Sequence, residues 1–99
     1  MFFALQRLAQ PMLEGGWVVI STARDVSHEH GDSVFYDLER EGVEIELEYY
    51  EHGELVAYPT DQAVEDGDST EPVFDLEEPT EAECLEAFIA QGWVQARGS

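Results

Sequence analysis

Asp25, His28, His30 and Asp32 fall within eight residues and combine imidazole with carboxylate, the two groups that ligate zinc and related ions. In an extended stretch residues i and i+2 share a side, which makes His28 and His30 the candidate metal ligands. Their neutral-range titration also suits a pH-sensitive contact. The plainer reading is a polar loop ahead of a strand, so no metal and no cofactor is assigned. Other catalytic machinery is thin. There is no Gly-rich phosphate loop, no cysteine pair and no His-Glu-x-x-His, and a Ser/His/Asp set can be picked from any chain with several acids and histidines. The chain is not expected to be an enzyme.

A second arrangement concerns charge. Glu44, Glu46 and Glu48 alternate with Val43, Ile45, Leu47 and Tyr49, so one strand has an apolar face and a carboxylate face. Same-side neighbours on a strand stand roughly 6.5–7 Å apart, which holds the three acids in a row. Asp37 and Glu39 extend that face from the preceding strand, with Phe35 and Tyr50 set among the acids as aromatic anchors of an interface would be. Alternating Glu on a solvated strand face is ordinary protection against edge pairing. Here no Lys interleaves anywhere, and like charges on neighbouring strands cost stability.

The whole composition points the same way. Asp and Glu number 23 against four Arg, a formal charge of −19. Residues 37–54 hold eight acids and one Arg, residues 61–83 hold ten acids and no base, and the remainder holds five. Direct contact with DNA, RNA or an anionic membrane is disfavoured, because it needs Lys and Arg to neutralise phosphate. A basic protein is the expected partner, its encounter steered by charge and weakened by salt. Asp61, Glu65, Asp66, Asp68 and Glu71 form a secondary acidic arm in the loop 60–72, expected to be mobile and able to wrap a basic groove. In size and charge the chain resembles small acidic phage and mobile-element proteins of the nucleic-acid-mimic kind. That likeness implies an anti-defence or immunity-type inhibitor of a nuclease or another nucleic-acid-binding protein. Two alternatives stand beside it: adaptation to high intracellular salt, which predicts a fold that needs molar salt, and a metal-binding domain or enzyme built on the His28/His30 loop.

The elements that must position these residues follow from periodicity. Ninety-nine residues with 43% hydrophobic content suit one domain with one core. Phe2, Leu5, Leu8, Ala9 and Met12 recur at helical spacing, with Pro11 expected to kink or stop that helix near Gln10. Trp17 to Thr22 reads as an interior strand covered on both sides, and Ala23 to Asp32 as loop. Strands follow around Val34–Glu39, Val43–Tyr50 and Glu54–Tyr58, joined by turns at Arg40-Glu41-Gly42 and Glu51-His52-Gly53; a short last strand is expected at Val73–Glu77. Thr80 and Glu83 have capping-box spacing. Cys84, Leu85, Phe88 and Ile89 make the buried stripe of the last helix, and Gly92 suits its C′ position before Trp93. Trp17 and Trp93 are expected in the core, as is the lone thiol of Cys84. The expected fold is α+β: a four- or five-stranded, mainly antiparallel meander with the N-terminal and C-terminal helices on one face. No leader pattern and no apolar run of membrane-spanning length is present, so a cytoplasmic protein is expected, and pairing of two copies through Tyr49 and Tyr50 stays open.

Overall fold

The computed structural model describes residues 2–26, 31–59 and 72–95. Among these residues two helices and five strands run in the order α1 (Phe2–Glu14), β1 (Val18–Asp25), β2 (Ser33–Arg40), β3 (Val43–Tyr50), β4 (Leu55–Pro59), β5 (Phe74–Leu76) and α2 (Glu81–Ala90). The strands form one sheet in sequence order, β1-β2-β3-β4-β5, and every neighbouring pair is antiparallel. This is the α+β meander that the alternation patterns predict.

Register follows from the turns. Arg40 pairs with Val43, leaving Glu41 and Gly42 as a two-residue hairpin loop with φ of 54° and 83°. Positive φ at both positions is the twist-matched geometry that glycine and a short polar residue permit. It sets Leu38 against Ile45, Tyr36 against Leu47 and Val34 against Tyr49, so the apolar side chains of both strands share one face.

Both helices cover that face. Leu5, Leu8, Ala9 and Met12 of α1 and Cys84 and Phe88 of α2 join Val34, Tyr36, Leu38, Ile45, Leu47, Leu55 and Ala57 in a single core. Burial pushes the Cys84 thiol up to about 12, so it stays protonated. The capping box forms as the spacing predicts, with Glu83 N donating to Thr80 Oγ1 at 3.1 Å and Thr80 N donating to Glu83 Oε1 at 2.9 Å.

The two helices end alike. Gly16 N donates to Leu13 O and Trp17 N to Met12 O; Gly92 N donates to Ile89 O and Trp93 N to Phe88 O. Each is a paired C-terminal motif in which glycine takes the left-handed position and the next residue turns back onto the helix. That next residue is a tryptophan in both cases, and the two indoles meet edge to face at 6.3 Å. Trp17 Nε1 donates to Trp93 O at 2.9 Å. Arg40 closes the junction: its Nη1 donates to Trp93 O at 2.8 Å and to Gly15 O at 3.2 Å, while its guanidinium lies 4.8 Å from the centre of the Trp17 ring. One cation thus neutralises the negative ends of both helices.

Three expectations are corrected. α1 runs through Pro11 to Glu14; proline forfeits the bond to the carbonyl of Arg7, but Leu8, Ala9 and Met12 on the same stretch are buried, and their packing outweighs that loss. β1 is an edge strand, not an interior one, with Val18 60% and Ile20 49% exposed. Only Trp17, at the helix end before it, belongs to the core. β1 also continues to Asp25 through residues read as loop, because Ala23, Arg24 and Asp25 pair with Phe35, Val34 and Ser33.

Candidate functional site

Residues directly opposite in an antiparallel ladder point to the same face. The face away from the helices therefore carries Glu39 against Glu44, Asp37 against Glu46, Phe35 against Glu48 and Ser33 against Tyr50. β4 adds Tyr58 beside Glu46 and Val56 beside Glu48, and β5 adds Asp75 beside Val56. Every residue proposed from sequence for the β2–β3 surface thus falls on one face, across two adjacent strands. Among the described residues no cation shares it. Arg24 stands level with Val34 and Arg40 with Val43, both on the helix side; Arg7 lies on α1, paired with Glu81 at 2.9 Å.

Within this face the acids do different work. Glu48 is 6% exposed, which corrects its expected place in a solvated row. Three hydroxyls converge on its carboxylate: Ser33 Oγ donates to Oε2 at 2.8 Å, and Tyr50 Oη and Tyr58 Oη donate to Oε1 at 3.1 and 3.2 Å. A buried carboxylate is tolerated when hydroxyl donors replace its water. Burial and then the Glu48 charge raise both phenols, Tyr58 to about 12, so both remain donors. Tyr50 also stacks on His52, ring centres 5.3 Å apart. Glu48 is consequently a bracket that ties β2, β3 and β4 together beneath the surface.

Asp37 and Glu46 face each other across the β2–β3 ladder. Glu46 is pushed up to about 7, first by burial, then by the charge of Asp37, by a hydrogen bond with it and by the charge of Glu48. Asp37 Oδ1 is buried with no hydrogen-bond partner among the described residues, so a proton on the facing carboxyl supplies a donor to an otherwise purely accepting pair. A similar pair sits at the far side of the sheet, where a hydrogen bond with Asp75 and then burial raise Glu54, opposed by His52; His52 Nε2 lies 3.1 Å from Glu54 Oε1. Glu39 and Glu44, both partly exposed, complete the acidic surface at the hairpin end.

The other sequence candidates are placed as follows. His28 and His30 lie outside the described residues, as does the acidic arm Asp61, Glu65, Asp66, Asp68 and Glu71. Of the acids flanking the histidines, Asp25 ends β1 and Asp32 accepts from Arg24 Nη2 at 2.9 Å. Among the described residues no three His, Cys, Asp or Glu side chains gather as a metal site, and no helix is long and apolar enough to cross a membrane. Sequence reasoning missed Ser33, Tyr58 and Asp75. Strand parity alone could have put Ser33 on the acidic face, two residues before Phe35. Tyr58 and Asp75 needed the β4 and β5 registers, which the sequence does not reveal.

No protein family, no curated protein and no solved structure matches this chain. The site's chemistry therefore rests on its own geometry: a field of carboxylates, two pairs of them directly opposed in register, with no Arg or Lys among the described residues of the sheet face turned away from α1 and α2.

Proposed function

We propose that the chain is a small acidic binding protein that occupies the basic surface of a nuclease or another nucleic-acid-binding protein, as a nucleic-acid mimic and inhibitor. The observation that carries this reading is the register that brings two pairs of carboxylates together on one sheet face, Glu39 opposite Glu44 and Asp37 opposite Glu46. Like charges directly across a ladder destabilise a sheet, and a basic partner would relieve that repulsion. Its Arg and Lys, which ordinarily pair with phosphate oxygens, would pair with these carboxylates in the same charge-assisted geometry. Phe35 supplies an aromatic contact beside them. Glu48 stays beneath this surface and holds it in shape through Ser33, Tyr50 and Tyr58.

The test is binding of the full chain to a panel of nucleases and other basic nucleic-acid-binding proteins, at low and high salt, with DNA as competitor. Capture that DNA displaces and salt weakens is expected. The E39Q/E44Q variant should keep the fold and bind at least tenfold more weakly, on the order of 1.4 kcal/mol. Unchanged affinity in that variant would remove this face from the interaction, and no DNA-displaceable partner would end the mimic reading.

A further inference from the structure

The acids are dense on one sheet face and nearly missing from the first quarter of the chain. Residues 1–24 contain one acid, Glu14, with Arg7 and Arg24, a net +1; residues 25–99 hold the other 22 acids and two Arg, a net −20. In the fold this acid-poor segment is α1 and β1 as far as Arg24, with Asp25 ending the strand. β1 is an eight-residue sheet edge, whereas the opposite edge, β5, has only three residues. All of β1 except Val19 is exposed. Of the six large apolar residues exposed among the described residues, Phe2, Phe3, Val18 and Ile20 belong to this region, Val26 directly follows β1, and Val43 lies elsewhere. Exposed edges are normally blunted by shortness, Lys, Pro or a bulge. Here β5 is short, while β1 has neither Lys nor Pro, and its one irregularity lies between Val19 and Ser21.

We propose that β1 is the edge through which two copies of this chain pair, β1 antiparallel to β1, joining two five-stranded sheets into one of ten strands. Such pairing is independent of what the acidic face binds. Two arguments favour a second copy as the occupant. The first is electrostatic: copies of charge −19 repel, and approach through β1 brings their acid-poor segments together. The nearest acid rows, Asp37 and Glu39 on the two β2 strands, then stand about three strand spacings apart, roughly 14 Å, beyond the ~8 Å Debye length at physiological salt. The second is symmetry. Antiparallel pairing of one strand with itself has its two-fold axis normal to the sheet, so the same patch meets itself, with all four helices on one side and both acidic faces on the other. An axis through Ala23 lies beyond the bulge; it sets Ser21 against Asp25, Thr22 against Arg24 and Ile20 level with Val26 of the other copy, which covers two of the exposed apolar side chains.

Sedimentation velocity of the full chain over a concentration series, at low and high salt, tests this. A monomer–dimer equilibrium that tightens as salt rises is expected, because screening reduces the repulsion between copies; binding of a basic protein at the acidic face would move the other way. The I20K/V26K variant should weaken the dimer at least tenfold even though it lowers the net negative charge, and circular dichroism would show the fold kept. A23C should oxidise to a covalent dimer across the axis. A monomer at every concentration and salt would overturn the proposal. So would a dimer indifferent to I20K/V26K together with no cross-link through A23C.

Discussion

Replacing Glu46 by glutamine removes one charge from the Asp37/Glu46 pair, and its effect should depend on pH with a definite sign. Glu46 takes its proton at about 7 in the fold against 4.5 ordinarily, so the folded state holds that proton more tightly than the unfolded chain does. The associated stability is fully present below 4.5 and is lost as pH rises through about 7. Converted at about 1.36 kcal/mol per tenfold, the whole difference is about 3 kcal/mol. The side chain is only half-buried, and solvent screening reduces this to about 1 kcal/mol. About three quarters of the loss falls between roughly pH 5 and pH 8. The glutamine side chain of E46Q cannot ionise, and its amide can donate to Asp37. The assay is thermal unfolding of wild type and E46Q at both pH values. The variant should melt about 4–8 °C higher at the alkaline pH for each kcal/mol gained, and that advantage should shrink to a small fraction at the acid one. Taking the difference between the two proteins cancels the other acids. An advantage equal at both pH values, or a wild type that is the more stable protein at the alkaline pH, would refute the raised proton affinity of Glu46.

Two further outcomes follow from the same geometry. Ser33→Ala strips a donor from a buried carboxylate and should cost about 1.5–3 kcal/mol in urea unfolding, whereas substitutions on the exposed part of β1 should cost little. Arg40→Ala removes the cation shared by both helix ends and should cost about 1–3 kcal/mol, with a change in tryptophan fluorescence that marks the Trp17–Trp93 junction as its site.

Much of the fold is legible where local chemistry and periodicity agree. Glu41-Gly42 marks a hairpin, its register puts all seven proposed β2–β3 residues on one face, and Thr80/Glu83 and Gly92 mark both ends of α2. Two of the corrections share a cause: apolar or acidic character does not by itself report burial or exposure. Val18 and Ile20 are apolar yet exposed, because among the described strands β1 lies at the edge of the sheet. Glu48 is acidic yet buried, because hydroxyls from β2 and β4 as well as its own strand reach it, and that convergence depends on register across three strands. Pro11 carries a propensity cost of about 3 kcal/mol, which is smaller than what the buried Leu8, Ala9 and Met12 contribute around it.

The junction of the two tryptophans also bears on the order in which the fold can be completed. Trp17 and Trp93 are 76 residues apart, and Arg40 reaches its second carbonyl only when Trp93 is in place. At synthesis rates of about 5–20 residues per second, a growing chain waits roughly 4–15 s between making one indole and the other. Throughout that interval the apolar side of the meander lacks α2, and the C-terminal end of α1 lacks its lock. The meander's own strands, joined by short turns, are local enough to pair earlier. Charge repulsion between nascent chains already acts in this half-built stage, because the acids of β2 and β3 are made before the last helix. Repulsion between acidic faces therefore acts on the half-built chain before its core is closed.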